Sequence, residues 1–495
     1  MDNQIMKHYF FVFFCWNLIS CSEKTSDYTF EIQNFIDQRE YKKGGDKSIS
    51  VSRKSGFYPT NFKLIISSKE KGQLFYTLNG KLPRIGSSYT FKVDSGISTE
   101  KLKVEKIEDI PTTSNIEDKH PWKKSTGVPI EGYSIRVARI FKDSILDEKT
   151  FNYIINEILC FKPVESVLIN IDRNCLFHKD SGIYVFGNSK KGNFEFKGLK
   201  GDKLCTWEYF DKSGFSVKSL QSKLSIHGLI SRRNSQKSLK LKSIKKNGIK
   251  RFNYSFFKNG PKKFKKLILR SASSGWGSGI YKDCIASEFA TGLNFEVGKQ
   301  KPVAVFINGK YWGVHFLSEK IDRHYLQENF KENPQEVSIV RDNLNADHGD
   351  SEAYRRAINY AKNLDFGIEL NYKSFKSLVD IKSYIDWFIS ETFFQNKDWP
   401  CNNTKLWTSK KSTKWRNFLI DLDACFSEPH KNYLERAYGG HIEEGDQLNR
   451  CNFLIRNLMR NKGFRNKFNK RAKELLVSTF SHSKLKPIVD KYHKT

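Results

Sequence analysis

The feature that most constrains the fold is an ordered series of segments between residues 302 and 421. Two apolar runs, PVAVFI and KYWGVHFL, meet at Asn308-Gly309, the strongest short-range signal for a two-stranded hairpin. Asp322 then precedes an apolar-periodic segment, as a helix N-cap does. IKSYIDWFISETFFQ has apolar residues at helical spacing, which predicts a buried helix. Two short β runs follow, TKLWTS and KWRNFLID, and the second ends at Asp421.

Polar residues lie at the junctions of this series. Asp398 lies in the loop after the buried helix, Asn403 follows five residues later, and Asp421 follows the last strand. Protein kinases use the same order, in which a loop aspartate orients the accepting hydroxyl while an asparagine and a second aspartate hold metal ions at the phosphates. Hard oxygen ligands are needed because phosphoryl transfer develops charge on the phosphoryl oxygens. The alternative is ordinary turn chemistry.

A second candidate site lies upstream, in SKLSIHGLISRRNSQKSLKLKS, which predicts strand, polar loop and strand. The loop carries Gly228, Ser231, Arg232 and Lys237. These residues suit a phosphate, because a glycine admits close approach and cations neutralise its charge. A simple hairpin is the alternative. FKKLILRS then predicts a buried strand, and YKDCIASEFATGL predicts a helix of about three turns.

Many short motifs between about residues 160 and 430 resemble, in the same order, the spore-coat protein H (CotH) kinase-like family. The motifs are GIYV at 182–185 with Gly187, WE at 207–208 with FD at 210–211 and Gly214, Gly228 with SR at 231–232 and QKS at 236–238, LR at 269–270, FINGKYWG at 306–313, EKID at 319–322, Asn396 with DWP at 398–400 and NN at 402–403, and DLD at 421–423. The resemblance implies an α+β atypical protein-kinase-like domain over residues 160–495. It further implies ATP and Mg²⁺ or Mn²⁺ as cofactors, and Ser or Thr of a secreted or surface protein, or of the chain itself, as the acceptor.

The resemblance also implies individual roles. The implied residues are Asp398 as the catalytic aspartate, Asn403 and Asp421 as metal ligands with Asp423 as a supporting carboxylate, Arg232 and Lys237 as phosphate contacts in the loop of Gly228 and Ser231, Lys237 also as a catalytic residue, and 317–319, ending at Glu319, as the linker beside adenine. One departure stands out, because Lys282 occupies the place of an arginine and a lysine lacks its bidentate fork. A catalytically silent, envelope-anchored binding protein is therefore the second interpretation.

Residues 49–157 predict a small antiparallel β-sandwich, since short alternating runs are separated by Asn-Gly, Pro and Gly-Ser signals. The stretch resembles the chitobiase/β-hexosaminidase C-terminal-type domain through SGFY at 55–58, FYTLNG at 75–80 with Pro83, SY at 88–89 and IRV at 135–137. Such modules are accessories, so no catalysis is assigned to it. The predicted fold class is multidomain: a small all-β sandwich followed by the α+β kinase-like domain.

The N-terminus predicts export. Residues 1–21 carry one lysine, an apolar run and LISC, which resembles a bacterial lipoprotein signal with lipidation at Cys21. Acyl chains there would anchor the protein to a membrane of the cell envelope, and the polar residues 22–48 would form a tether. Seven further cysteines without CxxC spacing argue against a disulfide framework and a structural zinc site.

Charge adds a constraint on partners. The 495 residues carry a formal net charge of +31, which favours an acidic protein or cell-surface polymer as partner. The lysines are spread along the chain, and neither a zinc-finger spacing nor a helix-turn-helix signal is present. Nucleic acid is therefore not the favoured partner.

Overall fold

The computed structural model describes residues 44–45, 48–94, 96–102, 130–244, 251–271, 275, 279–342, 344–428, 430–439 and 449–493. The predicted signal with Cys21, and nearly all of the tether, lie outside the described residues. Within these ranges, no helix combines the length and the apolar character needed to span a bilayer.

Short strands and one long hairpin form the N-terminal part of the chain. The strands are β1 (Gly44–Gly45), β2 (Ser50–Val51), β3 (Gly56–Tyr58), β4 (Lys63–Leu64), β5 (Ile66–Ser67), β6 (Gln73–Thr77), β7 (Phe91–Lys92), β8 (Ile97–Ser98), β9 (Glu131–Phe141) and β10 (Ser144–Ile155), with a 3₁₀ turn at Thr99–Lys101. They make a five-stranded sheet in the order β3-β10-β9-β6-β7, a three-stranded sheet β1-β2-β5 and the pair β4-β8. Side chains from all three sheets share one apolar core.

One expectation about this region is wrong. The sheet is not wholly antiparallel, because β3 runs parallel to β10, with Gly56 opposite Tyr153. Parallel neighbours need a long crossover connection. The local alternation of residues therefore held no information about this pairing.

The middle of the chain closes into a seven-stranded barrel in the order β11-β12-β13-β14-β17-β20-β19. The strands of this part are β11 (Ser166–Asn170), β12 (Lys203–Phe210), β13 (Ser216–His227), β14 (Ser238–Ser243), β15 (Phe252–Asn253), β16 (Lys263–Phe264), β17 (Lys266–Ser271), β18 (Glu296–Val297), β19 (Gln300–Ile307) and β20 (Lys310–Glu319). The helices are α1 (Glu157–Phe161), α2 (Arg173–Phe177), α3 (Gly198–Gly201) and α4 (Lys282–Phe289), with 3₁₀ turns at Asn193–Glu195 and Ile230–Arg233. Every second residue of the strands points inward and fills the barrel with aliphatic and aromatic side chains.

The β19–β20 hairpin is confirmed, and it joins the barrel to the N-terminal sheets. Asn308 and Gly309 both have positive φ, as the predicted tight turn requires. A Cβ on Gly309 would lie 2.2 Å from the carbonyl oxygen of Gly132 in β9, so only glycine permits this contact. The predicted helix at 281–293 is shorter than expected, because α4 ends at Phe289 and Gly292 then adopts positive φ.

A buried polar chain also links the two regions. Asn170 Nδ2 of β11 donates to Ser134 Oγ at 2.7 Å, and Ser134 Oγ donates to Asn152 Oδ1 at 2.6 Å. Asn152 Nδ2 in turn donates to Glu208 Oε2 of β12 at 2.7 Å. Burial raises the pKa of Glu208. Because a buried polar group is costly unless it is paired, this chain favours one orientation of the N-terminal sheets on the barrel.

The C-terminal part combines a mixed five-stranded sheet, β18-β24-β23-β21-β22, with helices. Its own strands are β21 (Val337–Arg341), β22 (Asn345–His348), β23 (Lys405–Ser409) and β24 (Arg416–Leu419), and its helices are α5 (Arg323–Phe330), α6 (Glu352–Asn363), α7 (Glu369–Leu378), α8 (Ile381–Phe393), α9 (Tyr433–Tyr438), α10 (Asn449–Arg460), α11 (Lys462–Val477) and α12 (His482–His493). The predicted cap is confirmed, since Asp322 accepts from His324 N at 2.8 Å. The predicted buried helix is α8, which packs in the largest apolar cluster.

A disulfide joins Cys401 to Cys451, with a Cα–Cα distance of 5.4 Å. The cysteine pattern did not anticipate it, because the two residues are 50 positions apart and only the fold brings α10 against the loop after α8. The other described cysteines, Cys160, Cys175, Cys205, Cys284 and Cys425, form no disulfide. The cysteine spacing argued against a framework of several disulfides, and the structure shows a single disulfide among the described residues.

Candidate functional site

The loop between α8 and β23 presents Asp398 to solvent. Asn396, at 0% exposure, supports it from below: its Oδ1 accepts from Asp398 N at 3.3 Å, and its Nδ2 donates to Glu391 Oε2 at 2.8 Å. Asn402 N donates to the carbonyl of Asp398 at 3.2 Å and closes the turn. The loop therefore has a rigid base and an accessible carboxylate.

Two of the predicted metal ligands lie just beyond the same end of the β23–β24 ladder. The last pair at this end is Lys405 with Phe418, so Asn403 lies two residues before that pair on one strand and Asp421 three residues after it on the other. Asn403 and Asp421 both have φ of 59°. A non-glycine residue is uncommon in this left-handed region, and such conformations cluster at functional sites.

Arg270, at the end of β17, connects the carboxylates of the site. Its guanidinium lies 3.1 Å from Asp283 Oδ2 on α4 and 3.4 Å from Asp423 Oδ2, and it donates to Asp421 Oδ1. The charge of Arg270 holds the pKa of Asp421 below its usual range. The sequence motif contained Leu269-Arg270, but it assigned Arg270 no role. Lys282, which occupies the place of an arginine, donates from Nζ to Ser427 Oγ at 3.2 Å.

A cationic surface continues from Arg270 across the outside of the barrel. The register places Lys240 opposite Ile268, which is two residues from Arg270 and on the same face, whereas the neighbouring Leu239 and Leu269 point into the barrel. Lys320 follows the end of β20 on the same side. Among the residues that the structure describes, no carboxylate lies at ion-pair distance from Lys240 or Lys320. We call Lys240, Arg270 and Lys320 the outer-face cations.

The ionisation of this surface reflects burial and crowding of like charge. Burial, followed by the charge of Lys405, lowers the pKa of Lys320 to about 8. Burial also lowers the pKa of Lys240. His227, at the end of β13, has a pKa well below its usual range because of burial and then the charges of Lys320 and Lys240. An anion placed here would relieve the repulsion, so the surface is suited to bind phosphate.

The predicted phosphate loop joins β13 to β14 and holds its four residues close together. A Cβ on Gly228, whose φ is +106°, would lie 2.3 Å from Ser231 Oγ. Arg232 donates from Nε to the carbonyl of Gly228 at 2.7 Å and from Nη1 to that of Phe194 at 2.8 Å. Lys237, at 0% exposure, donates from Nζ to the carbonyls of Arg232 and Asn234 at 2.7 and 2.8 Å. Both cations bind the chain's own backbone, and their phosphate contacts stay predictions.

The predicted linker beside adenine is the end of β20. Glu319 is buried, and its carboxylate accepts from Lys299 N and from Asn329 Nδ2, both at 2.9 Å. Burial raises the pKa of Glu319. The side chain thus braces the junction between barrel and α5, and its contact with a base stays a prediction.

The donor set of the site fits a hard divalent cation. Asp421, Asp423 and the Asn403 amide supply oxygens, and Mg²⁺ is commonly held by one or two carboxylates together with substrate phosphates. Arg270 places one positive charge among three carboxylates, so the group keeps about two negative charges. Among the described residues, no cluster of three or more His, Cys, Asp or Glu side chains has the geometry to hold a metal by itself.

Comparison with known proteins adds one match. A family model described as CotH kinase protein matches residues 224–495, which is more than half of the chain. The match begins within β13 and extends to the last residue, so it includes Asp398, Asn403, Asp421 and Arg270 but not the N-terminal sheets. The likeness of those sheets to a chitobiase-type domain stays a prediction. No curated protein matches the chain significantly.

Proposed function

Because this chain belongs to the CotH kinase family, we propose that it is a metal-dependent protein kinase that transfers the γ-phosphate of ATP to a Ser or Thr hydroxyl. The observation that carries the proposal is the group formed by Arg270, Asp283, Asp421 and Asp423, in which one guanidinium contacts three carboxylates. In protein kinases, a cation–carboxylate pair between a strand and a helix, together with a metal-holding aspartate, must be in place for transfer. Arg270 on β17, Asp283 on α4 and Asp421 supply groups of these kinds.

The residues divide the chemistry between them. Asp421, Asp423 and Asn403 would hold Mg²⁺ or Mn²⁺, which when bound neutralises charge on the phosphates. The outer-face cations would bind the non-bridging phosphate oxygens. Asp398, exposed on its loop, accepts a hydrogen bond from the acceptor hydroxyl and takes its proton as the phosphate is transferred. The linker at 317–319 would contact adenine.

The test is incorporation of label from γ-labelled ATP into the full-length chain and into an acidic acceptor protein, with Mg²⁺ or Mn²⁺. Asp398→Asn and Asp421→Asn should each lower transfer by about 100-fold or more. Asp94→Asn is the matched control, because Asp94 is 74% exposed and lies in the N-terminal sheets. No transfer by the unaltered chain, together with no ATP-dependent rise in melting temperature, would refute the kinase.

The second candidate is a catalytically silent binding protein. It is supported by the pairing of Asp421 with Arg270 and by the binding of Lys237 to the chain's own carbonyls. If ATP raises the melting temperature without any transfer, the silent protein is the better description. If transfer occurs and depends on metal, this candidate is excluded.

We also propose the cell envelope as the location, with a lipid anchor at Cys21 and a secreted or surface protein as partner. The Cys401–Cys451 bond supports an oxidising compartment, where disulfides persist. Metabolic labelling with a fatty acid tests the anchor. Incorporation that is lost in Cys21→Ser is expected, and equal labelling of both chains would refute it.

A further inference from the structure

The loop that carries Asp398 is hydrogen-bonded on one side to α9. Arg436 of α9 donates from Nη1 to the carbonyl of Trp399 at 2.9 Å and from Nη2 to the carbonyl of Lys397 at 3.0 Å. One planar guanidinium thus binds the carbonyls of the residues that precede and follow Asp398. A planar fork fixes orientation as well as distance, which a single donor does not.

The disulfide holds the same loop at a second point. Cys401 lies three residues after Asp398 and two before Asn403, and its partner Cys451 lies in the first turn of α10. The two anchors are themselves connected, because Asn452 Nδ2 donates to the carbonyl of Arg436 at 3.3 Å. The carboxylate and the carboxamide of the site are therefore tied to one structural unit.

That unit is firmly attached to the helical core. Tyr433 and Ala437 of α9, and Ile455 and Leu458 of α10, are at most 2% exposed. Asn457 Nδ2 donates to the carbonyls of Ala361 and Leu364 at the end of α6, at 2.8 and 2.7 Å. Because α9 and α10 are held in the core, they can fix the position of the loop that carries Asp398.

We propose that Arg436 and the Cys401–Cys451 bond form a brace that positions Asp398 and Asn403 for phosphoryl transfer, and that a dithiol reductant releases it. The role in transfer rests on the proposed function, whereas the hold on the loop does not. In the release step the dithiol supplies two electrons and two protons. The Sγ–Sγ bond breaks, Cys401 and Cys451 become thiols, and the reductant closes its own disulfide. Both cysteines are partly exposed, so a small dithiol has access.

The experiment compares the full-length chain before and after treatment with dithiothreitol, and again after reoxidation. Kinetics of ATP transfer are measured together with amide hydrogen exchange over residues 396–404. We expect reduction to lower kcat by about tenfold, because a misplaced catalytic group costs rate, while the KM for ATP changes by less than about twofold. The Asn402 amide, which donates to the carbonyl of Asp398, should exchange faster. Reoxidation should restore both values.

Variants separate positioning from general stability. Arg436→Gln should lower kcat by about tenfold and Arg436→Lys by less, because lysine reaches only one of the two carbonyls. Arg465→Gln is the matched control: Arg465 Nη1 also donates to two carbonyls, those of Met459 and Arg460, but away from the Asp398 loop. Its kcat should stay unchanged. The double variant Cys401→Ser, Cys451→Ser should be insensitive to dithiothreitol.

The outcomes distinguish this proposal from the kinase itself. If the unaltered chain transfers phosphate, and reduction changes neither kcat nor exchange, the brace is refuted while the kinase stands. If the unaltered chain shows no transfer, the proposed kinase activity is refuted. The amide hydrogen exchange alone then tests the brace. Faster exchange at 396–404 after reduction then supports the brace as a support of the loop, and unchanged exchange overturns it.

Discussion

Two sets of cations lie near the same edge of the barrel, and they are in opposite chemical situations. In the β13–β14 loop, Arg232 and Lys237 donate to carbonyls of the chain itself. Among the outer-face cations, Lys240 and Lys320 both act on His227 with like charge, and neither has a carboxylate at ion-pair distance in the described part of the chain. A basic residue in a plausible loop is therefore not necessarily available to a ligand. Availability depends on which acceptors the fold brings to it.

The largest effect is expected at Arg270, the outer-face cation that also contacts Asp421. Arg270→Gln removes the charge between three carboxylates and should lower kcat/KM for ATP by about 100-fold or more. Arg270→Lys keeps the charge without the fork and should lose less. Transfer kinetics measure both. Unchanged kinetics in Arg270→Gln would show that the outer face does not take part in transfer.

A matched pair tests the comparison directly. Lys237→Met removes the donor that the carbonyls of Arg232 and Asn234 share, so it should lower the free energy of unfolding by about 1–3 kcal/mol and leave the Kd for ATP nearly unchanged. Lys240→Met should weaken ATP binding by about tenfold and cost little stability, because it removes a crowded charge. Denaturant unfolding and equilibrium ATP binding are the measurements. If Lys237→Met instead weakened ATP binding while Lys240→Met lowered stability, Lys237 would be the ligand-binding cation.

The charge of Lys320, one of the outer-face cations, depends on pH, so ATP binding to this surface should depend on pH as well. Its pKa is lowered to about 8, so its charge is present below that pH and is lost above it. ATP should bind the charged form better, and its Kd should therefore rise by up to about tenfold per pH unit above pH 8. Lys320→Arg stays charged and should flatten this dependence. A Kd with the same pH profile in both chains would contradict the role of Lys320.

The last prediction concerns the carboxyls of the site, which show the same contrast. Arg270 lowers the pKa of Asp421, whereas burial without a cation raises that of Glu391 to about 8. A folded-state pKa above the unfolded value means that the folded protein holds a proton which the unfolded chain releases. Stability from this group is fully present below about pH 4.5 and falls as pH rises toward 8, by up to about 1.4 kcal/mol per pH unit.

Glu391→Gln removes this titration and keeps an oxygen for Asn396 Nδ2. The free energy of unfolding of the variant should therefore depend less on pH between 5 and 8 than that of the unaltered chain. Denaturant unfolding across this pH range measures the difference. Parallel curves for the two chains would show that the carboxyl of Glu391 is already ionised at neutral pH.

The sequence predicted the local elements of the site well. The Asn308-Gly309 hairpin, the Asp322 cap and the buried helix α8 are confirmed, because each depends on turn chemistry or on the spacing of apolar residues within one segment. It also placed Asn403 before one short strand and Asp421 after the next, and these strands are the neighbours β23 and β24. It did not identify Arg270, Asp283, Lys240 and Lys320 as neighbours, because they come from different elements with no spacing in common.

The sequence alone determined the order of strands, helices and polar junctions, because periodicity and turn residues act over a few positions along the chain. It could not decide the closed barrel, the parallel pairing of β3 with β10, or the Cys401–Cys451 bond. Nor could it decide which cations donate their hydrogen bonds to backbone carbonyls. These features depend on which distant segments come into contact, and only the tertiary structure sets the burial and the partners that fix the charge and the availability of a side chain.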